Sequence, residues 1–156
     1  MGSGSSTNAI APSLVPPELF TVSAGPFNHA AGNGATALGS NNSFNLGIHF
    51  DRQTAIDTVT GTVETKASAA RTIQIGYALD GQTVAAAVAT DNQWLTSVQD
   101  LNAAGVVNGT TFTIAIDRNQ NLLPANSRLF LFNSTTADTA LVGLVLTFRK
   151  RAGLEY

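Results

Sequence analysis

The sequence predicts an all-β fold: a jelly-roll-like antiparallel β-sandwich of about eight strands, with one short inserted helix and an extended N-terminal arm. Three observations predict it. First, Phe44, Leu46, Ile48 and Phe50 alternate with Asn45, Gly47, His49 and Asp51, and Ile73, Ile75, Tyr77 and Leu79 alternate with Thr72, Gln74, Gly76 and Ala78. A period of two marks a strand with one face in the core. Second, the apolar segments are short and are separated by turn-forming Gly, Asn and Asp. Third, only 12% of residues are charged, about half the usual share, so the outward strand faces fall to Thr, Ser, Asn and Gln. Eight strands with long crossing loops favour a jelly roll over an immunoglobulin-like sandwich, whose Cys-Trp-Cys hallmark is absent from this cysteine-free chain.

Residues 1–17 read as an arm, and residues 18–156 as a single β-sandwich domain. Pro12, Pro16 and Pro17 remove backbone donors and favour extended geometry. Ile10, Leu14 and Val15 have little use in a solvated linker, so the arm is expected to dock on its own sheet or on a neighbour. The Gly/Ser-rich stretch Met1–Ser6 is an expression scar or a natural leader. Glu18–Ser23 reads as the first strand, and Ala24–Asn42, which contains His29, as a long loop. Ser43–Asp51 and Thr54–Lys66 follow as strands. A parity shift between Ile56 and Val59 predicts a bulge or a late strand start.

Arg71–Thr90 reads as a β-hairpin, with Asp80-Gly81 in a type I′ turn and Val84, Ala86 and Val88 returning along Ile73–Leu79. Trp94, Leu95, Val98 and Leu101 then fall on one helical face, which predicts a helix over Asn92–Ala103 with Asp91 as N-cap and Gly105 beyond its end. Thr110–Asp117 resumes the strands, with Phe112, Ile114 and Ile116 inward. Arg128–Asn133 is apolar on both faces, so it is central or covered on both sides. Thr139–Arg149 is the last strand, and Arg149-Lys150-Arg151 ends the apolar pattern.

Composition excludes more than it identifies. A net charge of −2 predicts neither a nucleic-acid groove nor an anionic membrane surface, and no apolar run is long enough for a helical span. No secretory h-region is visible, which suits a protein made in a cytoplasm. His49 and Asp51 share a strand face but have no third partner, so a surface pair is expected rather than a metal site. Asp117, Asn119 and Asn121 resemble the start of a calcium loop. Leu122 and Arg128 stand where an EF-hand needs Gly and Glu, so a turn is expected instead. No nucleophile elbow, Walker A or dinucleotide fingerprint occurs, and no catalytic residue, metal or cofactor is expected. Three Asn-x-Ser/Thr tripeptides, at Asn41, Asn108 and Asn133, match the glycosylation pattern. Trp94 and Tyr77 read as core anchors rather than sugar platforms.

The Pro-punctuated apolar arm (Asn8–Pro17), the Ala/Gly/Asn/Thr-rich body and the period-two strands at Phe44–Phe50 and Ile73–Val88 together resemble the capsid decoration, or cement, proteins of tailed bacteriophages. The resemblance covers the whole chain in style and rests on no diagnostic motif. It implies a non-enzymatic virion protein on the capsid surface, a homo-oligomer expected to be a trimer, which binds between subunits of the major capsid protein. Interface residues expected on this reading are Ile10, Leu14, Val15, His29, Arg149, Lys150, Arg151 and Tyr156. The inserted helix and the long Ala24–Asn42 loop depart from some such families. A phage fibre or spike module, or a carbohydrate-binding module, is the alternative reading.

Overall fold

A computed structural model describes residues 19–28, 36–37, 42–67, 71–133 and 142–151. The strands are β1 (Leu19–Asn28), β2 (Thr36–Ala37), β3 (Asn42–Phe50), β4 (Thr54–Thr65), β5 (Thr72–Leu79), β6 (Gln99–Asp100), β7 (Thr110–Ile114), β8 (Leu122–Leu123), β9 (Ser127–Asn133) and β10 (Val142–Arg151). Among the described residues, one α-helix, α1, spans Val84–Val88, and a 3₁₀ turn spans Asp91–Gln93.

One sheet runs β2-β1-β10-β4-β7, with β8 also on β4; the other runs β3-β9-β5-β6. Setting aside β2 at the sheet edge and β8, a side pairing on β4, eight of the described strands remain. Numbered along the chain, the sheets read 1-8-3-6 and 2-7-4-5. Strands 1 and 8, 2 and 7, 3 and 6, and 4 and 5 are antiparallel partners. This is one long antiparallel ribbon rolled up so that successive pairs fall on alternate sheets, which is the jelly roll the strand pattern predicts.

The core lies between the sheets. Phe27, Ile56, Val59, Val63, Ile73, Ile75, Phe112, Ile114, Leu129, Leu131 and Phe148 form it, with Phe44, Leu46, Ile48 and Tyr77 packed at its margin. The alternation in β3 holds: Asn45, Gly47 and His49 are exposed. So does the predicted parity shift. The pairing Arg149↔Thr58 is followed by Lys150↔Ile56, so Asp57 is an extra residue and both Ile56 and Val59 turn inward.

β9 is both central and covered. It pairs with β3 and β5, and Phe130 points to the outer face, into a second cluster with Ala78 and Ala87, flanked by Val84, Val88, Trp94 and Phe132.

The predicted hairpin is corrected by the structure. Gln82 N–H closes a turn on Leu79 O at 3.0 Å, but only Gly81 has positive φ, at 81°. A type I′ turn needs both central residues there. The chain instead enters α1, capped by Thr83 Oγ1, which accepts Ala86 N–H at 3.2 Å. Three alanines between Val84 and Val88 favour helix over strand. The buried residue is Ala87, while Ala86 is exposed, so the spacing that matters is i, i+3, i+4. The strand opposite β5 is therefore β9, with Ile75↔Leu131 and Tyr77↔Leu129.

The predicted helix at Asn92–Ala103 is also corrected. Leu95 N–H donates to Ile75 O at 2.9 Å, Thr96 Oγ1 accepts Ile75 N–H at 3.0 Å, and the segment leads into β6. Extended backbone sends neighbours to opposite faces: Leu95 enters the inner core and Trp94 the outer cluster, while Val98 is 59% exposed. β1 is longer than expected, running to Asn28 with a register shift between Ala24 and Phe27. β10 runs to Arg151, two residues past the expected end at Arg149.

Candidate functional site

Among the described residues, those that could carry chemistry do not converge. His49 Nε2 lies 3.3 Å from Asp80 Oδ1, with the side chains 48% and 57% exposed, so the partner of His49 is Asp80 rather than Asp51. At that exposure the contact is worth little. His49→Ala is expected to change the unfolding free energy by no more than about 0.5 kcal/mol in urea titration. Among the described residues no group of three or more His, Cys, Asp or Glu could hold a metal ion. Asp117 Oδ1 accepts Asn119 N–H at 2.9 Å, and Gln120 N–H closes on Asp117 O at 3.0 Å; the D-x-N-x-N run is a self-bonded turn. Asn133 is buried and its Oδ1 accepts Arg71 Nε–H, which closes that tripeptide to glycosylation in the folded chain. Trp94 stands edge-on to Phe130 and Phe132, centroids 5.4 and 5.9 Å apart, so its ring serves packing. Tyr77 Oη–H donates to Asn92 O at 3.4 Å.

One feature among the described residues is a cleft of about 840 Å³. β7 pairs with β4 from Val63↔Thr110 to Val59↔Ile114, then turns to the other sheet. There Ile116 bridges Thr96 and Ala115 O accepts Ser97 N–H at 2.8 Å. β8 rejoins β4 only at Ala55↔Leu122. Ile56 N–H still donates to Asn121 O at 2.8 Å, and between that bond and Val59↔Ile114 the two strands part. Its lining is mixed: Ala55, Ile56, Ile114 and Ile116 are joined by Thr58, Thr113 and Asn121, and Asp57 and Arg118 put one charge of each sign beside them. Leu122 stands at its edge, 39% exposed, while its neighbour Leu123 is fully buried. The sequence reading missed this cleft. Its one visible signal was the Leu122-Leu123 doublet, of which a strand can bury only one member on a given face.

Ile10, Leu14, Val15, His29 and Tyr156, with the whole arm, lie outside the described residues. Arg149, Lys150 and Arg151 are placed only as the end of β10, where Arg151 stands between Leu19 of β1 and Ala55 of β4.

One solved structure similar to this chain is a chain of the acidic stable capsid of Helicobacter pylori bacteriophage KHP30. The TM-score is 0.55 at 16% identity, over 91% of this chain and 97% of that one. The two chains share a fold. They are also nearly equal in length. A chain of infectious bursal disease virus, Gx strain, aligns with a TM-score of 0.41 at 11% identity, over 90% of this chain but only 34% of that one; a likeness at that level bears no weight. No family model and no curated protein matches the sequence.

Proposed function

We propose that this chain is a structural protein of a virion, a decoration or cement protein that binds between subunits of a major capsid protein on the outer shell. The observation that carries the reading is the jelly roll shared, end to end, with a phage capsid chain of nearly equal length. The absence of converging chemistry among the described residues is in keeping with adhesion by shape. On this reading the chain is a homo-oligomer, expected to be a trimer, with no enzymatic activity and no nucleic-acid or membrane partner. It is made in the host cytoplasm and ends on the capsid surface. Symmetry then multiplies modest contacts into avidity without any single strong site. Arm residues Ile10, Leu14 and Val15, with His29 and the segment Arg149–Tyr156, are the contacts proposed for this role.

The test is co-sedimentation with empty capsids of the cognate phage. The full chain is expected to pellet with the shells and to raise their melting temperature. Deleting residues 1–17 is expected to weaken attachment by on the order of tenfold or more, as loss of one linked contact does. Equal attachment without the arm would remove its assigned role. No attachment at all, with binding on a glycan array instead, would favour a receptor-binding module.

A further inference from the structure

We propose that β7 of one copy of this chain pairs antiparallel with β7 of a second copy, about a twofold axis at Phe112, and so joins two sheets edge to edge. This rests on the reading of the chain as self-associating and deepens it by naming a surface. Its test uses free protein in solution, so its failure and the failure of capsid binding are distinguishable.

The first observation is an open edge. β7 ends its sheet, with β4 on one side of it. Val63 O accepts Gly109 N–H at 2.8 Å, so that carbonyl points to the β7 side of β4. Main-chain groups alternate in direction along an antiparallel pair. Phe112, opposite Gly61, therefore bonds β4, while Thr111 and Thr113 turn their N–H and C=O groups outward. Ala115 keeps the same alternation: its carbonyl accepts Ser97 N–H from the outer side at 2.8 Å. Among the described residues no strand pairs with the outward groups of Thr111 and Thr113.

The second is that this edge is unprotected. Open edges invite pairing, and soluble proteins blunt them with charge, proline, bulges, short strands or a covering segment. The other described edges are treated in these ways. β2 lies along β1 at the far side of the same sheet. β3 edges the second sheet, but its ladder shifts register between Asn45 and His49, where Gly47 has a φ of 71°. β6, on the opposite side, is 2 residues long. β7 has 5 residues in unbroken register with β4, and Thr110–Ile114 holds neither a charge nor a proline.

The third is fit to itself. Across a twofold axis a patch meets its own copy, so charges near the axis would face their like. No charged residue occurs between Asp100 and Asp117. In the register centred on Phe112, Thr111 of each copy faces Thr113 of the other. That satisfies both outward N–H groups and both outward carbonyls on each copy, the main-chain bonding by which an added strand gains affinity. The Phe112 rings leave the axis clear, because each lies over Gly61 of its own β4. Val98, 59% exposed, and Val107, 53%, are the most exposed large apolar side chains among the described residues. They flank opposite ends of β7. Val107 O accepts Thr110 N–H at 3.1 Å, and Val98 follows Ser97, which bonds Ala115. Antiparallel pairing brings the Thr110 end of one copy to the Ile114 end of the other. Each Val107 then comes beside Val98 of the second copy, and both leave water.

The chain has no cysteine, so an engineered pair reports without background. Full-length Thr111→Cys and Thr113→Cys proteins, one of them isotope-labelled, are mixed in equal amounts and oxidised, and the linked dimers are weighed by mass spectrometry. Directly paired residues stand about 5.5 Å apart at Cα, inside disulfide range. Like residues are diagonal, about 7–8 Å apart, and outside it. The heterodimer is expected to exceed either homodimer by about tenfold or more, against about twofold for random collision. A ratio near the random one, or an excess of homodimer, overturns the proposal. The second measurement needs no substitution. Amide hydrogen exchange at Thr111 and Thr113 is expected to slow as free protein is concentrated, while Phe112, bonded to β4, stays slow throughout. Exchange that ignores concentration overturns the pairing of copies. Exchange that slows only when capsid shells are added gives this edge to a strand of another protein, and overturns it equally.

Discussion

Phe130→Ala is expected to lower the unfolding free energy by about 3–5 kcal/mol, the cost of removing a fully buried aromatic side chain and leaving its cavity. A lower urea midpoint at unchanged slope would report it. Phe130 is fully buried although it points away from the inter-sheet core, because α1 and Trp94 roof the outer face of β9. Its ring also covers Gly76, its direct partner on β5. A Cβ at Gly76 would stand 2.4 Å from Phe130 Cζ and 2.8 Å from the Gln93 carbonyl oxygen. Gly76→Ala is therefore expected to be destabilising too, by about 1–3 kcal/mol. Pairing it with Phe130→Leu should cost less than the sum, since the shortened side chain vacates the contested space. Gly61 is the internal control. It faces Phe112 in the same direct register, and the three atoms nearest a Cβ there all belong to that ring. Phe112 belongs to the edge strand β7 and can give way, so Gly61→Ala should cost less than Gly76→Ala. A Phe130→Ala loss under about 1 kcal/mol, the range of an exposed side chain, would mean the outer cluster does not hold α1 to the sheet.

That outer cluster is also where sequence and structure part. The inner faces were legible because strand periodicity is local: Phe44–Phe50, Ile73–Ile75 and Phe112–Ile114 need no knowledge of their partners. Even the Asp57 bulge left its mark as the parity shift between Ile56 and Val59. Val84–Val88 did not read correctly because Val84 and Val88 satisfy a period of two and an i, i+4 spacing equally well. Alanine propensity and the absent partner strand decide between them. Trp94 and Leu95 misled in the same way: two adjacent apolar residues fit a helical stripe, and they also fit a strand buried on both sides. That β5 pairs with β9 rather than with residues just beyond Gly81 is a long-range fact, set by closure of the jelly-roll ribbon. The cleft was illegible for a related reason. It exists because β7 parts from β4 after Ile114 to reach Thr96, and no local pattern encodes that departure.

Arg71→Met is expected to cost about 2–3 kcal/mol, within the range for a buried hydrogen bond to a charged group. Arg71 is a fully buried charged residue at the mouth of the four-stranded sheet. Its Nε–H donates to Asn133 Oδ1 at 3.0 Å, its backbone N–H to Asp100 Oδ1 at 3.4 Å, and its carbonyl accepts Leu101 N–H at 2.7 Å. The next pairs inward are Thr72↔Asp100 and Ile73↔Asn133, so this one residue ties the ends of β5, β6 and β9. Methionine keeps most of the stem's volume and none of its donors. The loss then reports polar bonding rather than a void. Arg71→Lys is expected to restore only part of it, because an ammonium cannot reproduce the fixed fork of a guanidinium. The decisive measurement is a cycle with Asn133→Ala. If the Nε–Oδ1 bond carries the effect, the double variant loses less than the sum of the singles, by a coupling of about 1 kcal/mol or more. Strict additivity would mean that the two residues stabilise the sheet end independently.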